Sequence, residues 1–211
     1  LVNLITLNAR AGRISFVTGP VLYFAADQEL YGQGGTADMF LKLVAGAVRT
    51  CRFLNDGRRQ IDAFYLPGDI FGFEFAAEHS LTAEAICDCT VISYRWRGPA
   101  CVRAAHDGMP ERLFAHAMRN LARAQSHARL LGFSSAAEKL AAFLLEWSEH
   151  SADHTLITLQ MSRQDIADYL GMTVETVSRT MTQLRNDGLI EFLSARQIKL
   201  LDLAALTALT A

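Results

Sequence analysis

The sequence predicts an α+β chain in three successive parts: an N-terminal β-roll, one long helix, and a small helical unit that closes in an alternating tail. Three observations predict it. Up to about residue 100, short β-like runs alternate with Gly-rich punctuation. From 112 to 131 the chain holds neither Gly nor Pro, and after 134 short capped helical patterns precede an apolar–polar alternation. A length of 211 residues suits one large domain or two modest ones, and the textures divide it into 1–100, 101–133 and 134–211.

Composition narrows the class. With 51% hydrophobic and 20% charged residues the chain reads as globular. No apolar run approaches the roughly 18 residues that a bilayer span needs, and the start carries no secretory pattern; no membrane partner and a cytoplasmic location are expected. The chain opens on Leu1 rather than Met, which predicts native residues upstream. Four cysteines, among them Cys87 and Cys89, make no disulfide framework and fit a reducing compartment. A net charge of −2 gives nucleic acid no support.

In chain order, the strand candidates are 21–24, 39–45, 47–53, 60–65 and 82–94. Gln33-Gly34-Gly35, Asn55-Asp56-Gly57 and Pro67-Gly68-Asp69 lie between them. Asn55-Asp56-Gly57 is a hairpin signal, because glycine supplies the positive φ that the turn needs. Strands this closely spaced indicate a sandwich or a barrel-like roll. In the long helix Leu113, Ala117, Leu121, Ala124, Ala128 and Leu131 recur at steps of 4, 4, 3, 4 and 3, a heptad-like seam. Packing of that seam on the chain's own β-part is one reading. A helix of about 20 residues spans roughly 30 Å, longer than one small domain needs, which favours pairing with a second copy. A helix at about 135–148 and a polar loop at 149–155 follow.

Residues 161–185 carry the functional information. Ser162 with Asp165 three places on is a capping box that starts a helix. Ile166, Ala167 and Leu170 form its inward stripe, with Ala167 small enough for a second helix to cross closely. Gly171 supplies a tight turn and Thr173 caps the next helix, whose inward positions are Val177, Met181 and Leu184. Glu175, Thr176, Ser178 and Arg179 are left pointing outward from its first two turns. This is a helix-turn-helix whose second helix presents its N-terminal end to a major groove. The tail from Gly188-Leu189-Ile190 to Lys199-Leu200 reads as a two-stranded wing.

With these residues in view, the whole chain resembles the CRP/FNR family of bacterial transcription regulators. Phe40-Leu41-Lys42-Leu43-Val44-Ala45-Gly46-Ala47-Val48 and Tyr65-Leu66-Pro67-Gly68-Asp69-Ile70-Phe71-Gly72-Phe73 carry the likeness in the first half. Val174-Glu175-Thr176-Val177-Ser178-Arg179 carries it in the second and is similar to the FNR-type reader. Within the family the likeness is to FixK-like regulators of low-oxygen and nitrogen-fixation genes. The resemblance implies a cyclic-nucleotide-binding-like jelly roll, a dimerisation helix and a winged helix-turn-helix DNA-binding domain. It further implies a homodimer on double-stranded DNA, at a TTGAT–four pairs–ATCAA palindrome, activating through RNA polymerase contact, with loops such as 55–59 available for it.

Chemistry assigns the roles. Arg179 can donate a bidentate pair to guanine O6 and N7, Glu175 can accept from a cytosine amino group, and Ser178 can meet either base edge. Val174 completes the base-contacting set. Glu175 and Arg179 also share a helix face at i, i+4, so the carboxylate can hold the guanidinium in place. Ser162, Arg163, Gln164 and Thr176 sit where helix starts deliver donors to phosphates. From Arg163 to Lys199, however, five basic residues are offset by five acids, unlike the usual basic domain.

No cofactor is expected. Where cyclic-nucleotide binders of this family cradle a phosphate with a Gly-Glu and an Arg-Ser pair, this chain has Gly72-Phe73-Glu74 and Leu81-Thr82-Ala83, with leucine in place of the arginine. A buried cyclic phosphate would lack its counter-ion. An iron–sulfur cluster needs four thiolates, and no cysteine precedes Cys51. His79 reads as a solvated loop histidine rather than a haem ligand, and Cys87 and Cys89 as small buried residues on one strand face. His150 and His154 lie in a polar loop and form no metal site. A metal-dependent oxygenase built on a β-roll needs several histidines, and the first 100 residues contain only His79; an enzyme is not expected. The reading is a regulator active without a bound effector. Gating by an undetected ligand or by cysteine oxidation is the alternative, and the residues do not separate activator from repressor.

Overall fold

The computed structural model describes residues 18–74, 76–95, 109–151 and 153–210, with the side chains of Thr18 and 109–113 outside that description. The first half is two four-stranded antiparallel sheets. One has the order β1 (Thr18–Phe24), β8 (Cys89–Arg95), β3 (Met39–Ala45), β6 (Ile70–Phe71). The other has the order β2 (Glu29–Tyr31), β7 (Thr82–Ala85), β4 (Val48–Phe53), β5 (Arg59–Tyr65). Leu41 and Leu43 of β3 point inward while Lys42 and Val44 face out, the period-2 signature of a strand with one wet face. Leu41, Leu43, Val48, Phe71, Ala83, Ala85 and Val91 fill the space between the sheets.

The hairpin forms where expected: β4 pairs with β5, and Gly57 takes φ 82° in the connecting turn. The 82–94 run is not one strand. It breaks into β7 and β8, which lie in different sheets, with a turn at 86–88. Cys87 therefore sits half-buried in that turn and does not share a strand face with Cys89, whose buried thiol lies 3.0 Å from the Cys87 carbonyl oxygen and 3.1 Å from that of Ala47. β2 and β6, three and two residues long, were too short to register in the sequence pattern.

The long helix is α1 (Met109–Gly132), with Pro110 in its first turn, where a missing N–H costs nothing. Its seam does not pack on the roll: Ala117, Leu121, Ala124 and Ala128 are exposed, and only Leu131 is half-buried. Leu113 lies in the helix, but its side chain is outside the described residues, as is the expected boundary between 100 and 101. The adjoining face is anchored instead. Arg123 donates to Asp69 at 3.0 Å, and the buried His127 donates from Nε2 to the Tyr169 carbonyl at 2.8 Å while stacking on the Tyr169 ring.

The last part contains α2 (Ala136–Ser148), β9 (Leu156–Thr158), α3 (Arg163–Leu170), α4 (Val174–Asn186), β10 (Ile190–Phe192), β11 (Gln197–Leu200) and α5 (Leu203–Ala208). Ser135 and Glu138 form a reciprocal capping box at the start of α2. The wing is three-stranded rather than two-stranded, in the order β10-β11-β9, because the polar loop after α2 leads into β9 and Ile157 pairs with Ile198. Its core (Leu140, Phe143, Leu144, Ile166, Leu170, Val177, Met181, Leu184) is continuous with Cys51, Ile61 and Phe64 of the roll. The helix-turn-helix thus rests directly on β4 and β5.

Candidate nucleic-acid interface

The local sequence builds this site from its caps. Ser162 Oγ accepts the Asp165 N–H at 3.1 Å, and Asp165 Oδ2 accepts the Ser162 N–H at 2.9 Å and its hydroxyl at 2.8 Å. α3 ends at Gly171, whose φ of 63° and ψ of 41° lie in the left-handed region that glycine enters at no steric cost. Thr173 Oγ1 then accepts the Thr176 N–H at 3.2 Å and starts α4. Val177, Met181 and Leu184 are buried, as their spacing predicts, which fixes the rotation of α4 about its axis.

That rotation turns Glu175 and Arg179 to solvent, with Val174, Thr176 and Ser178 half-buried beside them. Glu175 and Arg179 form no ion pair among the described residues, so the carboxylate does not hold the guanidinium in the free protein. Glu175 is held below the usual carboxylate range by its own backbone N–H and the Thr173 hydroxyl at the helix start, with the Arg179 charge a lesser cause. Three residues on this face escaped the sequence reading. Thr182, Gln183 and Asn186 line the same shallow groove as Ser178 and Arg179. Their i+3, i+4 and i+7 spacing from Arg179 is the signal that could have found them.

The phosphate candidates are occupied by internal contacts. The Ser162 hydroxyl serves the capping box. Gln164 Nε2 donates to Asp168 Oδ1 at 2.7 Å, and the Thr176 hydroxyl lies 3.1 Å from that of Thr173. The Arg163 guanidinium stands 5.4 Å over the Phe192 ring of the wing, and that of Arg185 5.7 Å from the same ring.

The charge balance changes once the fold is known. Asp165 accepts from Arg59 at 2.6 Å and lies 3.2 Å from Arg49, and Asp168 accepts from Arg59 at 2.8 Å. Two of the five acids between Arg163 and Lys199 are thus turned to the roll and neutralised there, leaving three against five basic residues. Arg59 accordingly belongs to the domain junction and not to the exposed hairpin tip, which is Asn55 to Arg58.

In the roll, His79 is buried, not solvated. Its ring stacks on Tyr31 at 3.8 Å, and its Nδ1 has no hydrogen-bond partner among the described residues. Its backbone is tied to Gly34 and Gly35 by two 2.8 Å hydrogen bonds. Glu74 is engaged by the N–H and hydroxyl of Ser80 at 3.0 and 2.9 Å, and Leu81 is half-buried next to it in sequence. Among the described residues no group of His, Cys, Asp and Glu is arranged to hold a metal ion, and no helix is long and apolar enough to cross a membrane.

Comparison with known proteins agrees with this architecture. Residues 21–97 match the cyclic nucleotide-binding domain and residues 138–209 the Crp-like helix-turn-helix domain. The chain is 42% identical over 207 residues to the nitrogen fixation regulation protein FixK of Azorhizobium caulinodans, covering 94% of this chain and 82% of that one. It is 41% identical over 198 residues to FixK of Rhizobium meliloti, covering 92% and 89%. The structure of FixK2 from Bradyrhizobium japonicum superposes with a TM-score of 0.83 at 40% identity, covering 92% of this chain and 98% of that one. A fold of cyclic-nucleotide-binding type joined to a capped, outward-facing reader helix, shared along nearly the full length with these regulators, shows that the chain belongs to the CRP/FNR family of DNA-binding transcription regulators, a non-enzymatic family, and is similar within it to FixK.

Proposed function

We propose that this protein is a FixK-like activator that binds a TTGAT–four pairs–ATCAA palindrome as a homodimer and needs no bound effector to do so. The observation that carries this reading is the outward face of α4. Arg179 and Glu175 stand exposed and unpaired with each other on a helix start whose rotation is fixed by three buried residues. On this reading Val174, Glu175, Ser178 and Arg179 contact bases, and Ser162, Arg163, Gln164 and Thr176 contact phosphates after their internal bonds are exchanged. The apolar face of α1 supports pairing of two copies: Phe114, Met118 and Leu121 are 67%, 47% and 50% exposed, while the inward face is held by Arg123 and His127. Burial of such a stripe is what a coiled-coil partner provides. Effector independence is supported by Leu81, which offers a phosphate no charge, and by the engagement of Glu74 with Ser80. RNA polymerase contact is assigned to the hairpin tip from Asn55 to Arg58, in the cytoplasm.

The test is a titration of the purified protein on the palindromic duplex and on a scrambled one, at one fixed salt concentration. It is repeated with cyclic AMP and with oxygen excluded. Binding to the palindrome alone, unchanged by either condition, is expected. Binding that appears only with cyclic nucleotide or without oxygen would overturn effector independence, and failure throughout would overturn the proposed site.

A further inference from the structure

A second concavity lies away from both the reader helix and the roll interior. Its volume is about 340 Å³, at the small end of the roughly 300–1,000 Å³ typical of small-molecule sites. Its walls come from four elements: Asp62 and Phe64 of β5, Arg123 of α1, Glu146 and Trp147 of α2, and Tyr169 of α3. Every major part of the protein therefore contributes to it.

The apolar walls are aromatic. Phe64 meets Trp147 edge-on at 5.7 Å and 87°, and Tyr169 at 5.1 Å and 47°, so three rings packed on one another bound one side of the space. Such walls favour a planar ring, and their π-faces attract positive charge. The polar groups select the sign of the ligand. Arg123 is neutralised by Asp69 at 3.0 Å. The carboxyl groups of Asp62 and Glu146 make no hydrogen bond or ion pair among the described residues, and neither does the Tyr169 hydroxyl. Burial raises the Glu146 carboxyl above its ordinary range, with the nearby Glu149 adding to the rise and His150, Arg123 and Arg129 opposing it. A half-buried acid with no direct ion pair gains from an incoming cation.

We infer that this interdomain cavity binds a small organic cation carrying an aromatic ring, seated among Phe64, Trp147 and Tyr169 with its positive group at Glu146 and Asp62. An anion would face Asp62 and Glu146 with the lining arginine already paired, and a neutral ring would leave Glu146 unanswered. Because the ligand touches β5, α1, α2 and α3 together, its binding tightens the seating of the helix-turn-helix on the roll. The site goes beyond the proposed DNA binding, which proceeds without it; the ligand is a modulator and not a required effector.

Calorimetry on the full chain without DNA tests this, so the result is independent of the proposed operator. The probes are benzamidine, phenethylamine and tryptamine, with tryptophol as neutral control and indole-3-acetate as anionic control. Saturable binding of at least one of the cations is expected, with tryptophol and the acetate about tenfold weaker or more. Glu146→Gln lowers the cation's affinity about tenfold towards that of tryptophol, and the exposed Asp62→Asn lowers it by less. Thermal unfolding confirms that each variant is folded. The inference is overturned if no cation binds up to millimolar concentration, if tryptophol binds as well as tryptamine, or if Glu146→Gln leaves the affinity unchanged.

Discussion

Arg59 of the roll donates to Asp165 of the helix-turn-helix at 2.6 Å through Oδ1, while Oδ2 of the same carboxylate closes the capping box that starts α3. One side chain, 4% exposed, therefore both begins the first helix of the DNA-binding unit and fastens that unit to the roll. Arg59 reaches Asp168 as well, so its fork spans successive turns of the helix.

Removing Arg59 leaves buried acids short of a partner. Arg59→Ala is expected to cost about 3 kcal/mol, the range for breaking one side of a buried pair. Asp165→Asn costs a similar amount, and the double variant costs less than the sum of the two, because both lose the same interaction. Denaturant unfolding of the four proteins measures the coupling. Strict additivity would show that the contact contributes nothing.

Stability falls on mild acidification because of His79. Burial holds its pKa below the ordinary 6.5, with the Glu74 and Asp38 charges opposing that shift. A histidine whose folded pKa is depressed binds its proton more readily unfolded. Its contribution is therefore intact above the unfolded value and is lost as pH falls from about 6.5 through the folded value. Denaturant midpoints at about pH 7.5 and about pH 5 check this against His79→Gln, which is expected to lose less stability between them.

Thiol reactivity should be graded by burial. Cys51 is buried beside Glu84, and its thiol is pushed up to about 11, chiefly by burial. Cys89 is buried and raised as well, whereas Cys87 is half-buried in its turn. Alkylation of the native protein at neutral pH is expected to modify Cys87 before Cys51 or Cys89, since the thiolate is the reacting form. Mass spectrometry of timed samples shows the order, and early labelling of Cys51 would contradict it.

Leu121, half exposed on α1 at the rim of the interdomain cavity, is no part of the chain's own core. Leu121→Glu is expected to yield folded monomers and to weaken palindrome binding by about 100-fold, through loss of the second half-site contact. Sedimentation velocity with circular dichroism separates this from unfolding. A Leu121→Glu dimer of unchanged affinity would remove the seam from the account.

The sequence made the helix-turn-helix legible almost residue by residue, because its caps, its Gly171 turn and its inward stripe are local signals. The roll was legible as a texture and in its hairpin. The split at 86–88 was hidden because the alternation of strand-like residues runs on across it and the turn carries Cys-Asp rather than Gly or Pro. β9 was hidden for a different reason. It has three residues and gains its identity only by pairing with β11, a long-range event that no local pattern reports. Asp165 and Asp168 read as ordinary acids of a DNA-binding unit, since their partners Arg49 and Arg59 lie more than a hundred residues away. His79 was misread for the same kind of reason, its burial depending on Tyr31 from another strand.

The most direct measurement of the central claim is the affinity of wild type and Arg179→Ala for the palindrome and for a duplex in which the guanine of each half-site is changed to adenine. All four are measured without ligand at one salt concentration. Wild type is expected to prefer the palindrome by about 1–3 kcal/mol per half-site, the discrimination of a bidentate arginine–guanine pair. Arg179→Ala is expected to bind both duplexes equally. Discrimination that survives Arg179→Ala, or that is absent from the wild type, would contradict the account.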